Sequence, residues 1–210
     1  MQVVKLSENH TKLVEEFSKE CAQAGYYNNS SLELMKWGKA YDLPATPDYW
    51  GLIVNNKLAS ISGCHSFVPF NPDFPQLRVL FRSATLPNFN NLIPGLSKNH
   101  MNSVPFSLLL PYQIAFGLDN NYRYFFITTS CTDHDASGKM LRTHKAISII
   151  SKNKLVTWES KEVVYNIMQD KWRINLPNYL TALKNFEVNR NKLGLSENYL
   201  ECIATIEKHL

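Results

Sequence analysis

Glycine is scarce, 8 residues in 210, and no pair of glycines has the spacing of a phosphate-binding loop. Gly138-Lys139 is followed by Met140, and the position five before Gly138 is Asp133. A GxxxxGK cradle needs both glycines and a Ser or Thr to reach Mg²⁺, so a P-loop nucleotidase is excluded. Cysteine is thin as well: Cys21, Cys64, Cys131 and Cys202 are widely scattered. Zinc would have to gather Cys64 and His65 with Cys131 and His134, and no CxxC or HxxxH pair supports such a set, so no metal is expected. Charge is nearly balanced, 22 basic against 18 acidic residues, far below the excess that marks a nucleic-acid binder. No apolar run approaches the roughly 20 residues of a membrane span. The segment MQVVKLSENHTKLVEEF lacks the basic and apolar regions of a secretory leader. Reduced cysteines and a cytoplasmic address are therefore the expectation.

What the chain has is apolar and aromatic material, 44% and 12% of residues. That suits one principal globular domain with a core needing no staple. Residues 2 to 6 read as a short strand. Ser7 then opens a helix to Ala24 with Leu13, Val14, Phe17 and Cys21 on one face, ended by Gly25. Ser30 or Ser31 caps a second helix through Gly38. YWGLIV (49 to 54) and LASISGCHSFV (58 to 68) flank Asn-Asn-Lys, a hairpin signal because Asn tolerates positive backbone angles. LRVLFRSATLP (77 to 87) is the next strand.

Residues 88 to 102 are turn-rich. Phe106, Leu109, Leu110, Ile114 and Leu118 follow at helical spacing, with Pro111 set to kink or divide the helix. YRYFFITTS (122 to 130) reads as a buried strand, 137 to 150 as a helix, and LVTWESKEVVYNIM with KWRINL as one or two further strands. Trp158 and Trp172 in these late strands are assigned to the core. Residues 177 to 210 read as helical. The order predicts an α/β (α+β) fold, a mixed and mostly antiparallel twisted sheet flanked by helices.

This order resembles the GNAT superfamily of N-acetyltransferases over residues 1 to 175, with 176 to 210 as a helical extension packed on the same domain. LFRSATLP, LLPYQI, FITTS and KWRINL, together with the tail, are also similar to segments of acetyltransferase-like proteins of tailed bacteriophages. The GNAT resemblance implies acetyl-coenzyme A as acyl donor, held where strands 77 to 87 and 122 to 130 splay apart. Backbone N–H groups at Ser83, Ala84 and Thr85 would polarise the thioester carbonyl.

The resemblance also implies a pyrophosphate cradle at the next helix start. Gly95, Ser97, Lys98, Asn99 and Ser103 stand there, with His100 close by, although the family's glycine-rich pattern is missing. Independent of family, a helix start offers unpaired N–H groups and partial positive charge to an anion. The family's Asn-x-x-Ala-x-x-x-Tyr spacing falls on Ser137, Met140 and His144. His144 thus occupies the place of the thiolate-protonating tyrosine, and an imidazolium is a competent acid near neutral pH. Asp133 and His134 are candidates for accepting the amine proton, with loop capping as the plainer role for Asp133 and Asp135.

Tyr26, Tyr27, Trp37, Tyr41 and Trp50 lie where an acceptor would be held, or pack as core. Lys139, Arg142, Lys145, Lys152 and Lys154 form a stretch without acidic residues, read as a solvated face or a local anion site. The sequence therefore points to an N-acyltransferase acting on an unidentified amine by direct attack. The alternative is an inactive GNAT-fold protein that binds a host protein or nucleic acid. A protein partner or a homodimer is compatible with either reading, whereas a membrane is not part of it.

Overall fold

The computed structural model describes residues 1–25, 47–67, 71–89, 103–131, 142–164, 167–187, 194 and 197–210. The expected helix from Ser30 or Ser31 to Gly38 lies outside them. β1 (Gln2–Lys5) leads through a short 3-10 turn into α1 (Thr11–Gln23). Val14, Phe17 and Cys21 are buried on one face of α1, and Gly25 ends it at φ +73°, a left-handed angle that glycine adopts without penalty. β2 (Asp48–Val54) and β3 (Lys57–Ser66) form the expected hairpin. Its turn is Asn55 and Asn56, both at positive φ (49° and 60°), as a twist-matched two-residue turn requires.

β4 (Gln76–Thr85) pairs antiparallel with β3, and β5 (Tyr124–Ser130) pairs parallel with β4. Between them runs a helix in two registers: a π-helical turn at Pro105–Leu109, then α2 (Leu110–Asp119). α3 (Arg142–Lys152) precedes β6 (Val156–Val164) and β7 (Ile167–Ile174), an antiparallel hairpin. α4 (Leu176–Glu187) and α5 (Asn198–Lys208) close the chain. The sheet order is β1-β2-β3-β4-β5-β7-β6, so β7 is inserted between β5 and β6. The strand pairings give one mixed, mostly antiparallel sheet, with β4 and β5 its parallel pair.

Two apolar layers hold this sheet. On one face Phe17 and Cys21 of α1 join Leu58, Ile61 and Phe81. On the other, the π turn and α2 to α5 pack over Leu77, Val79, Phe125 and Ile127. Gly117 lets α2 approach closely there, since a Cβ at that position would lie 2.4 Å from a ring carbon of Phe125. The division expected at Pro111 falls just before it, where the π turn ends at Leu109 and α2 begins at Leu110. Pro111 lies in the first turn of α2, and its lack of an N–H is made up for by the C-terminal helices. In the π register the Phe106 carbonyl would bond the N–H of residue 111, and in the α register the Ser107 carbonyl would. Proline supplies neither. The Tyr179 hydroxyl donates to the Phe106 carbonyl at 2.7 Å and that of Tyr199 to the Ser107 carbonyl at 3.0 Å. Both tyrosines are 0% exposed.

One correction concerns a side chain. Trp158, assigned to the core, is 49% exposed, because β6 is the outer strand. Its indole N–H donates to Asp170 Oδ1 at 2.9 Å. Of the two readings for Trp50, acceptor clamp or core, the structure bears out the core: it is buried beside Phe116. The four cysteines are free. Among the described residues no helix is long and apolar enough to cross a membrane.

Candidate functional site

β4 and β5 keep company for three residue pairs only: Gln76 with Tyr124, Leu77 with Phe125 and Arg78 with Phe126. Beyond this point β5 runs on to Ser130 paired with β7 on its other edge, and β4 runs on to Thr85 paired with β3. The facing edges part and form a wedge. Its cause lies in β4, which carries two register shifts against β3: Arg78 to Phe81 spans three steps where His65 to Gly63 spans two, and Phe81 to Ala84 repeats this against Gly63 to Ile61. Leu80 and Arg82 sit at φ +54° and +47°. A left-handed angle costs a non-glycine residue about 1–3 kcal/mol, and such strain persists only where the surroundings over-determine it. Each extra residue bends the strand, as bulges do.

The surroundings are a buried polar network on the α2 side of the sheet. Gln113 of α2 is 0% exposed; its Oε1 accepts the Leu80 N–H at 3.2 Å, and its Nε2 donates to Ser62 Oγ at 2.9 Å. Ser62 Oγ lies 2.8 Å from Ser83 Oγ. Ser60 Oγ donates to the Ala84 carbonyl at 2.8 Å and lies 2.8 Å from Thr85 Oγ1. The three β4 residues expected at the thioester, Ser83, Ala84 and Thr85, are thus clamped to β3 at the second bulge and just past it. Gln113, Ser60 and Ser62 escaped the sequence reading. Their signal is present: Gln113 is the one side chain within LLLPYQIAFGL capable of both donating and accepting through an amide, and Ser60 and Ser62 alternate within LASIS.

The opposite face carries a second polar cluster at the closed end of the wedge. Arg78 Nη2 donates to Gln169 Oε1 at 3.2 Å. Lys171 bonds Gln76 Oε1 at 2.7 Å, pairs with Glu162 at 3.0 Å and lies 4.2 Å from the Phe126 ring centroid. His65 packs edge-on against Phe81 with centroids 4.9 Å apart. Burial pulls its pKa down to about 4; the Ser66 carbonyl at 2.7 Å from Nδ1 partly opposes this and the Arg78 charge adds to it. His65 is therefore neutral at pH 7 and a weak base.

His144 is the third residue of α3, the helix that follows β5. The side chain is partly buried, and its Nε2 is shielded from solvent with no hydrogen-bond partner among the described residues. Ser103 sits at the start of the helix containing the π turn, where its Oγ accepts the Phe106 N–H at 3.3 Å. Pro105 has no N–H, so two of the first donors of this helix are already unavailable to an anion. The remaining candidates, Asp133, His134, Gly95, Ser97, Lys98, Asn99 and Ser137, lie outside the described residues, as do Tyr26, Tyr27, Trp37 and Tyr41. Burial pushes the thiols of Cys21 and Cys202 up to about 12, and that of Cys64 upward too, so none of these three is a thiolate nucleophile at neutral pH.

Solved structures share this architecture. Aminoglycoside 6′-acetyltransferase type Ii matches with a TM-score of 0.52 and 10% identity, over 82% of this chain and 96% of its own. The fold is that of the GNAT acetyltransferases. The GNAT domain of S. lividans PAT matches with a TM-score of 0.50 and 8% identity, over 82% of this chain and 89% of its own. At such identities the likeness is one of fold. No protein-family model and no curated protein matches the sequence. A GNAT fold whose parallel pair parts at a bulged β4 presents a strand edge of backbone donors and acceptors, suited to an extended ligand that carries amides.

Proposed function

We propose that the chain is an N-acyltransferase of GNAT type that moves an acetyl group from acetyl-coenzyme A to an amine by direct attack. The observation that carries this reading is the early parting of β4 from β5 at a doubly bulged strand within a GNAT fold. The free edge of β4 pairs with the amides of the donor's pantetheine arm. N–H groups at Ser83 to Thr85 stabilise the charge that develops on the thioester oxygen, and a network fixed in advance costs no reorganisation at that moment. With Pro105 and the Ser103 cap limiting the helix start, diphosphate recognition falls on Lys98 and the neighbouring Gly95, Ser97 and Asn99, with Ser137 as a further donor. His144 protonates the departing thiolate, while Asp133 or His134 accepts the amine proton.

Calorimetric titration with acetyl-coenzyme A tests the reading. Binding in the micromolar range is expected, and no heat at high micromolar ligand overturns it. In an assay of thiol release with a panel of amines, His144→Phe lowers turnover while donor affinity stays the same. Unchanged turnover removes His144 from the mechanism.

A further inference from the structure

We infer that Gln113 is a positioning residue for the acyl-donor site: its carboxamide takes the Leu80 N–H that a regular β4 would give to β3, and so fixes the bulge at which β4 turns away from β5. The inference rests on the acyl-donor reading of the wedge. Three observations carry it. The parallel pairing ends at Arg78, two residues before Leu80. Leu80 is held at φ +54°, an angle its own side chain disfavours. The donor freed by this conformation finds its acceptor on α2, in a side chain with no exposure, at 3.2 Å.

A buried amide must satisfy both its ends, since leaving either without a partner costs the desolvation of that group. Gln113 meets this condition only with the bulge formed: Oε1 faces Leu80, and Nε2 reaches Ser62, which lies against Ser83. Were β4 to straighten and zip onto β5, Leu80 would leave the carboxamide and Oε1 would lose this donor. The network therefore biases β4 toward the parted state. It also ties β4 on both sides of Arg82 to the helix that begins at the expected diphosphate end. Gln113 does not touch the donor; it acts through Leu80 and Ser83.

The test compares wild type with Gln113→Met, which keeps the length and loses the carboxamide, Gln113→Asn, which is too short to span both partners, and Gln113→Glu. The last change introduces a carboxyl that, when neutral, can accept at one oxygen and donate at the other. Two quantities are read: hydrogen exchange at the Leu80 amide by NMR, and the ratio of affinities for coenzyme A and adenosine 3′,5′-bisphosphate, the part of the donor that lacks the pantetheine arm. In Gln113→Met, Leu80 exchange should accelerate at least tenfold and coenzyme A affinity should fall at least tenfold, with the bisphosphate affinity unchanged. Gln113→Glu should recover most of both. If Gln113→Met does not fold, the same expectations apply to Gln113→Asn.

General loosening of the fold would weaken both ligands together, and that result overturns the proposal, as does an unaltered ratio. If wild type binds neither ligand, the acyl-donor reading fails on its own. Leu80 exchange then decides the clamp: acceleration confined to 80–83 upholds it, and no acceleration overturns it.

Discussion

Removing the hydroxyl of Tyr179 or Tyr199 isolates the interaction by which the C-terminal helices complete the π turn. Each Tyr→Phe change keeps the ring, so no cavity opens, and the loss is that of one buried hydrogen bond to a main-chain carbonyl. A typical bond of this kind contributes about 1 kcal/mol net, and leaving the buried Phe106 carbonyl without the Tyr179 hydroxyl raises the cost there to about 1–3 kcal/mol. Tyr179 should be the costlier site, because its bond is the shorter, 2.7 against 3.0 Å. Residue 111 is proline, so the N–H that would serve the Phe106 carbonyl in the π register, or the Ser107 carbonyl in the α register, is absent. The two changes act on adjacent carbonyls, and the double variant should deviate from additivity by about 0.5 kcal/mol or more. Urea unfolding followed by circular dichroism reads these differences as midpoint shifts at constant slope. For a chain of this size each kcal/mol also lowers Tm by about 2–4 °C. Two single variants within about 0.3 kcal/mol of wild type would refute the reasoning, since the carbonyls would then have other donors of equal worth.

His65 should make stability fall on the acid side. Its folded pKa of about 4 lies below the ordinary 6.5, so the unfolded chain binds the proton more readily, and stability present above pH 6.5 is lost as pH falls through 4. The full difference is about 3 kcal/mol, with about 2 kcal/mol lost by pH 5; His65→Asn should flatten this part of the urea-stability profile, and an unchanged slope would count against it. Gly117→Ala forces a Cβ to within 2.4 Å of the buried Phe125 ring, so overpacking should cost about 1–3 kcal/mol despite alanine's better helix propensity; thermal unfolding checks the sign, and a stabilised variant would show that the helix can move off β5.

How much of this was legible beforehand depended on whether the signal was local. Asn55-Asn56 announced its turn, because a tight hairpin needs positive φ at both positions and Asn tolerates it. The alternation of LASIS, the apolar spacing from Phe106 to Leu118 and the run YFFIT all named their elements, and the order of elements named the architecture. The bulges did not show, since Leu80 and Arg82 are ordinary strand residues whose left-handed angles are imposed by Gln113 and β3, not by their own preferences. Trp158 was misplaced because residue type says apolar and only topology says outer strand. The place of β7 between β5 and β6 was likewise invisible, for pairing partners are set by the whole sheet. Of the site, the strand that parts was recognised, while the network that keeps it parted was not.

The inserted position of β7 has a consequence for the order in which the protein can be made. The strand that leaves the ribosome last of the seven is an interior one. Until it is threaded in, β5 has its three pairs to β4 and a bare apolar edge, and β6 has no neighbour to join. A nascent or truncated chain ending before residue 167 therefore displays the kind of edge that recruits other strands. Chaperone engagement and aggregation in synthesis should accordingly centre on the window between emergence of β5 and capture of β7.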